Sequence, residues 1–276
     1  MMETIIKDNP MTPTLHQSSE LKASEKETIR NLVTAEEWQT RVELAACYRL
    51  VAMNGWDDLV FTHMSARVPG MANEYLLNPM GLLFEEVTGS SLVKVARDGM
   101  VLHDETGLGI NPGGFVIHGA VHAARADAHC VIHLHTIESV AISCQKDGLL
   151  PLQQGALMLA ADVAYHDYEG VALDVEERTR LNANLGQKNY LILRNHGLLT
   201  VGSTIAEAFI RAYSLHRACQ IQIAAQSGGA ALLIPSSEVR DKVAQQARPK
   251  GPSKTTPIAW SALLRKLDRF DQSYRN

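Results

Sequence analysis

Two histidines one residue apart, in Cys130-Val-Ile-His-Leu-His-Thr136, are the residues of this chain best placed to do chemistry. On an extended strand residues i and i+2 share a face, so His133 and His135 project together. Ile132 and Leu134 then point the other way, into a core. Paired imidazoles of this kind bind a single zinc or iron ion; two structural histidines are the alternative reading. A third ring is available in Leu191-Ile-Leu-Arg-Asn-His-Gly-Leu198, where His196 ends an apolar run and Gly197 would let the chain turn the ring back. Three neutral imidazoles leave the ion its full charge and an open position, an arrangement suited to catalysis. Such an ion polarises a carbonyl or chelates a 2-oxo or 2-hydroxy acid. It stabilises the anion left by retro-aldol cleavage or decarboxylation.

A rival constellation lies upstream. His118 and His122 are four residues apart on a predicted helix over 115–125 and share a face, which is also metal-ligand spacing. The segment lacks the Glu of a metalloprotease helix, so that chemistry is not supported. The reaction needs a proton carrier, and the candidates are Tyr165, His166 and His118. Glu138 is a further one, as are His216 or Tyr213 from a neighbouring subunit. Arg194, beside the third histidine, suits a substrate carboxylate. Each of these suits a structural role as well.

The elements that must position these groups can be read in outline. Residues 1–33 show no hydrophobic period and read as a flexible leader. Thr34-Ala-Glu-Glu37 forms a capping box for a helix that stops at Asn54-Gly55. Strand-like runs follow at 59–61, 65–68, 74–78 and 100–103, with a short helix near 90–93. After Asn111-Pro-Gly-Gly114 come the 115–125 helix, a strand at 130–135, a helix from Glu138 to Cys144, a strand at 190–194 and a long helix at 204–226. Strands alternating with helices predict one α/β domain over 34–227. Residues 228–257 read as a linker. The final stretch, 258–276, is a docking helix whose stripe is Trp260, Leu263, Leu264, Leu267 and Phe270.

Composition narrows the function. The 276 residues are 46% hydrophobic with a net charge of −4, so no electrostatic case exists for nucleic acid or an anionic membrane. Cys47, Cys130, Cys144 and Cys219 form no CxxC pair, which suits reduced thiols rather than a structural zinc site or a disulfide framework. With no apolar signal core and no apolar run long enough to span a bilayer, a cytoplasmic protein is expected.

The motifs VIHLHT and LILRNHGLLTVG, followed by EAF and RACQIQ, resemble the class II aldolase/adducin family. Upstream, the stretch from Arg41 to Trp56, THMSAR (62–67) and NPMGLLFEEVT (78–88) are similar to its N-terminal half, and ALLRKLDRFD (262–271) to a C-terminal extension of bacterial members. The resemblance covers roughly residues 36–271. It implies a three-layer α/β/α sandwich around a mainly antiparallel sheet, commonly a homotetramer with sites at subunit interfaces. It also implies a divalent metal, zinc first with Fe2+ or Mn2+ as alternatives, on the residues matching His133, His135 and His196. Two departures stand out. Where the family's sugar-phosphate aldolases carry a metal-binding Glu, this chain has Gly114, preceded by Pro112 and Gly113. Their Gly-Asn phosphate-loop pair is replaced by Thr62 and His63, which become substrate-binding candidates in a pocket no longer built for phosphate. The resulting expectation is a metal-dependent lyase acting on a small, unphosphorylated oxo- or hydroxy-acid. An Fe(II) oxygenase and a non-catalytic, adducin-like assembly domain are the alternatives.

Overall fold

The computed structural model describes residues 28–170, 176–248 and 251–276; most of the expected leader, residues 1–27, lies outside them. In chain order the elements are α1 (Ile29–Leu32), α2 (Ala35–Met53), β1 (His63–Arg67), β2 (Glu74–Leu77), β3 (Val93–Ala96) and β4 (Val101–His103). Then come α3 (Pro112–Ala124), β5 (Cys130–Leu134), α4 (Ile137–Ser143), α5 (Gln154–Leu159), β6 (Val163–His166) and α6 (Glu177–Leu185). The chain finishes with β7 (Tyr190–Leu193), β8 (Gly197–Gly202), α7 (Ile205–Ser227), α8 (Ser237–Ala247) and α9 (Thr256–Asp268).

The eight strands form one sheet in the order β4-β3-β2-β1-β5-β8-β7-β6. Every neighbouring pair is antiparallel except β6 and β7. On one face, Cys130, Ile132 and Leu134 of β5 meet apolar residues of α2, α7 and α9. On the other, Val131 packs with Ile117 and Val121 of α3 and Leu181 and Leu185 of α6. Strand alternation thus puts Ile132 and Leu134 in the first core and leaves His133 on the α3 side. The molecule is the α/β/α sandwich that the sequence predicts, with β5 near the middle of the sheet.

Several local expectations need correction. The apolar run 59–61 is a turn with Leu59 at φ 50°, because the chain must bend there into β1. No helix forms near 90–93, where turns lead into β3. Thr34 does accept the Glu37 amide, but the Glu37 side chain does not reach back to close a capping box. It is buried between Arg41 at 3.0 Å and Lys94 at 2.7 Å, a better use for a carboxylate shut off from water. Within the expected leader, α1 makes one turn with Ile29 buried and its amide donating to Glu105. The expected linker contains the eleven-residue helix α8, capped by Ser236. The tail docks on its own chain: Trp260 and Leu267 are buried against α2 and α7, while Phe270 is exposed and outside the stripe.

Candidate metal centre

His133 is fixed by the strands beside it: it faces His63 of β1 and Leu199 of β8. Its Nδ1 lies 2.9 Å from the Leu198 carbonyl oxygen. A carbonyl can only accept, so the ring's proton sits on Nδ1 and Nε2 carries a lone pair. His135 comes one residue past the strand end, and its Nδ1 is 2.9 Å from a carboxylate oxygen of Asp58. By the same reasoning a proton sits on its Nδ1, and Nε2 is the atom it turns towards His133. The two Nε2 atoms lie 2.9 Å apart. Nitrogens that close share either one hydrogen or one cation between them.

His196 stands in the turn joining β7 to β8. Its amide donates to Leu193 and to Ser143 Oγ. Asn195, at φ 56°, makes the reversal, a conformation asparagine tolerates better than most side chains. Gly197, expected to supply the turn, is needed for close approach instead, since a Cβ there would lie 2.5 Å from the Leu134 carbonyl oxygen. The His196 ring is 4.7 Å from that of His133 and 4.8 Å from that of His135. One nitrogen from each ring falls within 4.8 Å of the others, so the three could hold one metal ion. Burial, followed by the neighbouring imidazoles His196, His135 and His63, holds His133 well below the usual histidine range. Burial and then His135 hold His196 near pH 4. Neutral imidazoles are the form a metal ion requires.

Two recesses flank the triad. One, of about 840 Å³, is bordered by Asp57, Asp58, Thr136, Ile137, Tyr168 and Asn195. The other, of about 310 Å³, is bordered by Phe61, His63, Asn111, Gly113, Gly114 and Ile117. His63 is buried and held near pH 4, first by burial. A Cβ at position 114 would lie 2.5 Å from the His63 ring, so that ring fills the space a side chain at 114 would need. Thr62, also buried, has a hydroxyl without a partner among the described residues. His118 and His122 are not ligands of this centre: both bond Ser65 Oγ, at 2.6 and 2.7 Å, on the inner face of α3.

The other expected residues lie elsewhere. Tyr165 and His166, expected as proton carriers, sit on the edge strand β6, with β7 and β8 between them and β5. The Tyr165 hydroxyl accepts the Leu149 amide, and His166 lies between Glu177 and Asn184. Arg194 donates to the Gln145 carbonyl and stacks 4.3 Å from the Tyr165 ring centre, at a separate surface hollow. His216 bonds Thr136 and packs on Trp56, with Glu138 3.9 Å away; Tyr213 is exposed beside the same Trp56. Asp58, absent from the sequence-based candidates, is the residue that orients His135.

The family model described as Class II Aldolase and Adducin N-terminal domain matches residues 42–223, a span that contains all three histidines. The chain belongs to the class II aldolase and adducin family. A Pseudomonas aeruginosa protein provisionally named as a class 2 aldolase protein is 54% identical over 247 residues, 88% of this chain and 94% of its own length. Mouse alpha-adducin is 43% identical over 243 residues, 83% of this chain but 33% of the adducin. The solved L-fuculose 1-phosphate aldolase of Glaciozyma antarctica has the same fold, with a TM-score of 0.76 at 27% identity over 88% of this chain and 94% of that one. Within the family the histidine triad therefore sits on an aldolase-type scaffold, and α8 and α9 lie beyond the matched residues.

Proposed function

We propose that this protein is a divalent-metal-dependent lyase that breaks a carbon–carbon bond, by retro-aldol cleavage or decarboxylation, in a small unphosphorylated oxo- or hydroxy-acid. His133, His135 and His196 would hold the ion, zinc before Fe2+ or Mn2+. The observation that carries this reading is the meeting of one ring nitrogen from each of the three histidines within 4.8 Å of the others, with the His133 and His135 Nε2 atoms 2.9 Å apart and both rings oriented through Nδ1. When bound, the ion would supply a positive charge that stabilises the negative charge developing on a substrate oxygen as the bond breaks. The chain's own part is orientation and exclusion. Asp58 and the Leu198 carbonyl fix two of the rings, and Phe61 and Ile117 keep one side of the smaller recess apolar. Among the described residues, neither recess beside the triad is bordered by Lys or Arg, which leaves a phosphate dianion without a cation and favours an unphosphorylated substrate. Phe61 and Ile137 border these recesses and are largely exposed, which favours a homo-oligomer, with the tetramer as first candidate, in which a second copy covers them. A cytoplasmic setting goes with this reading.

The similarity to alpha-adducin favours a second reading, a metal-bearing domain that works through assembly and turns nothing over. Metal analysis of protein purified without a histidine tag, followed by a screen of 2-oxo and 2-hydroxy acids, separates the two. Zinc with oxygen-independent release of CO2 or an aldehyde is expected. Iron with substrate-dependent oxygen uptake would make the protein an oxygenase instead. Bound metal with no turnover across the screen would leave the assembly reading, and unchanged metal content in His133→Ala would remove the centre altogether.

A further inference from the structure

The two recesses beside the triad differ in chemistry. The larger carries Asp57 and Asp58 on its border and meets His135 and His196. The smaller, of about 310 Å³, opens on all three triad histidines, and among the described residues no Asp, Glu, Lys or Arg borders it. Away from the triad its walls are Phe61, Pro112 and Ile117, with the backbone of Gly113 and Gly114 between them. The polar groups that reach it have neighbours in the chain. His63 lies against the Gly114 and Phe61 backbone, and the Asn111 oxygen accepts the Gly113 and Gly114 amides as the cap of α3. A ligand group placed here meets mainly apolar surface and no ion of opposite charge.

The turn that presents Phe61 to this recess is strained. It runs from Asp58 to Phe61 and is closed by the Phe61 amide, which donates to the Asp58 carbonyl oxygen at 2.9 Å. Leu59, inside it, has φ 50°, a conformation that bulky side chains rarely adopt. Its side chain is 62% exposed, so burial does not offset the strain. Strained backbone of this kind gathers at functional sites. Here it sets Asp58 on His135 at one end of the turn and Phe61 on the recess at the other. The Phe61 ring is itself 55% exposed, so its own chain leaves room on it for a ligand as well as for a second copy. An apolar cavity of roughly 150 Å³ accepts benzene, and a recess of about 310 Å³ has space for a six-membered ring or a branched alkyl group.

We propose that the smaller recess is a subsite for an apolar group of ring size, aryl or branched alkyl, on the acid held at the triad. The substrate's oxygens face the three histidines, and its apolar substituent lies between Phe61 and Ile117. The substrate class is then 2-oxo and 2-hydroxy acids with a bulky apolar side chain, and Phe61 sets that specificity. The inference rests on the metal reading above.

Two measurements test it. The first titrates zinc-loaded protein with glycolate, mandelate and 2-hydroxy-3-methylbutanoate, which differ only in the substituent on the hydroxyl-bearing carbon. The better of the two bulky acids should bind at least about tenfold tighter than glycolate, and which of them it is assigns the group as aryl or branched alkyl. Glycolate binding as tightly as both overturns the subsite and leaves the metal reading standing. At equal zinc content, Phe61→Ala should cut the preference by about two- to tenfold, the worth of an aromatic contact, and Phe61→Trp should keep it. An unchanged preference in Phe61→Ala overturns the role given to Phe61. The second measurement adds toluene to metal-free protein and follows the Ile117 methyl signals by NMR. Ring current should shift them, and no shift overturns the apolar subsite. A protein that takes up no zinc, with Ile117 still shifted by toluene, overturns the metal reading and the substrate assignment while the apolar recess stands.

Discussion

Asp58 orients His135 as an outer carboxylate orients a metal-binding imidazole, keeping the proton on Nδ1 and making Nε2 more basic. Replacing it by Ala is expected to weaken zinc binding by about 10–100-fold while leaving the metal-free fold intact. Competition with a chromogenic chelator measures this, and an affinity equal to that of the unaltered protein would deny Asp58 any part in the centre. The triad histidines are legible in sequence for a simple reason: two of them follow the period of a strand, and the third ends an apolar run. Asp58 is not, because a carboxylate in a polar loop looks like solvated surface until the fold brings it to an imidazole far along the chain. The place of Tyr165 and His166 in the sheet is likewise hidden from the sequence. They follow the triad strand in sequence, but β6 joins the sheet at its far edge, and no local signal reports that crossover.

At the level of elements, β8 and α7 meet so closely that no side chain fits between them. A Cβ on Gly202 would lie 2.7 Å from the Thr204 carbonyl oxygen and closer still to the Ala208 amide nitrogen, both backbone atoms with little freedom to yield. Gly202→Ala should therefore cost about 1–3 kcal/mol, read as a lower urea midpoint. A midpoint unmoved would mean that the helix can slide away from the strand. The long helices α2 and α7 are legible from their helical periodicity; Thr34 accepts the amide expected of a cap, and the structure shows Thr204 capping α7 in the same way. The short elements are harder to read. Strand β6 holds only four residues, and β8 is buried along its whole length, so neither shows an alternation of polar and apolar residues. The run 59–61 shows the converse, apolar residues in a turn that borders the site instead of pairing in the sheet.

At the scale of the whole molecule, the sheet encloses several imidazoles that it keeps uncharged. Burial, the largest cause in each case, lowers His63 from 6.5 to about 4 and His122 from 6.5 to about 3. As pH falls, the unfolded chain takes up these protons before the folded one does. The stability is thus fully present above about pH 6.5 and is lost as pH drops towards 4 and then 3. Metal-free protein should lose at least about 3 kcal/mol between pH 6.5 and 4. Urea titrations across that range check it, and a flat profile would mean that these rings reach water. The sandwich itself is legible from the alternation of strands and helices together with the family resemblance. The strand order is not, because β1–β5 and β5–β8 join segments that no local pattern connects. The contact between Gly114 and the His63 ring has a consequence for reading other chains of this family. The two positions compete for one volume, so a bulky residue at either one excludes a bulky residue at the other. Inspecting those two letters together would sort family members into chains that arm the mouth of the site from the helix and chains that arm it from the strand, before any coordinates exist.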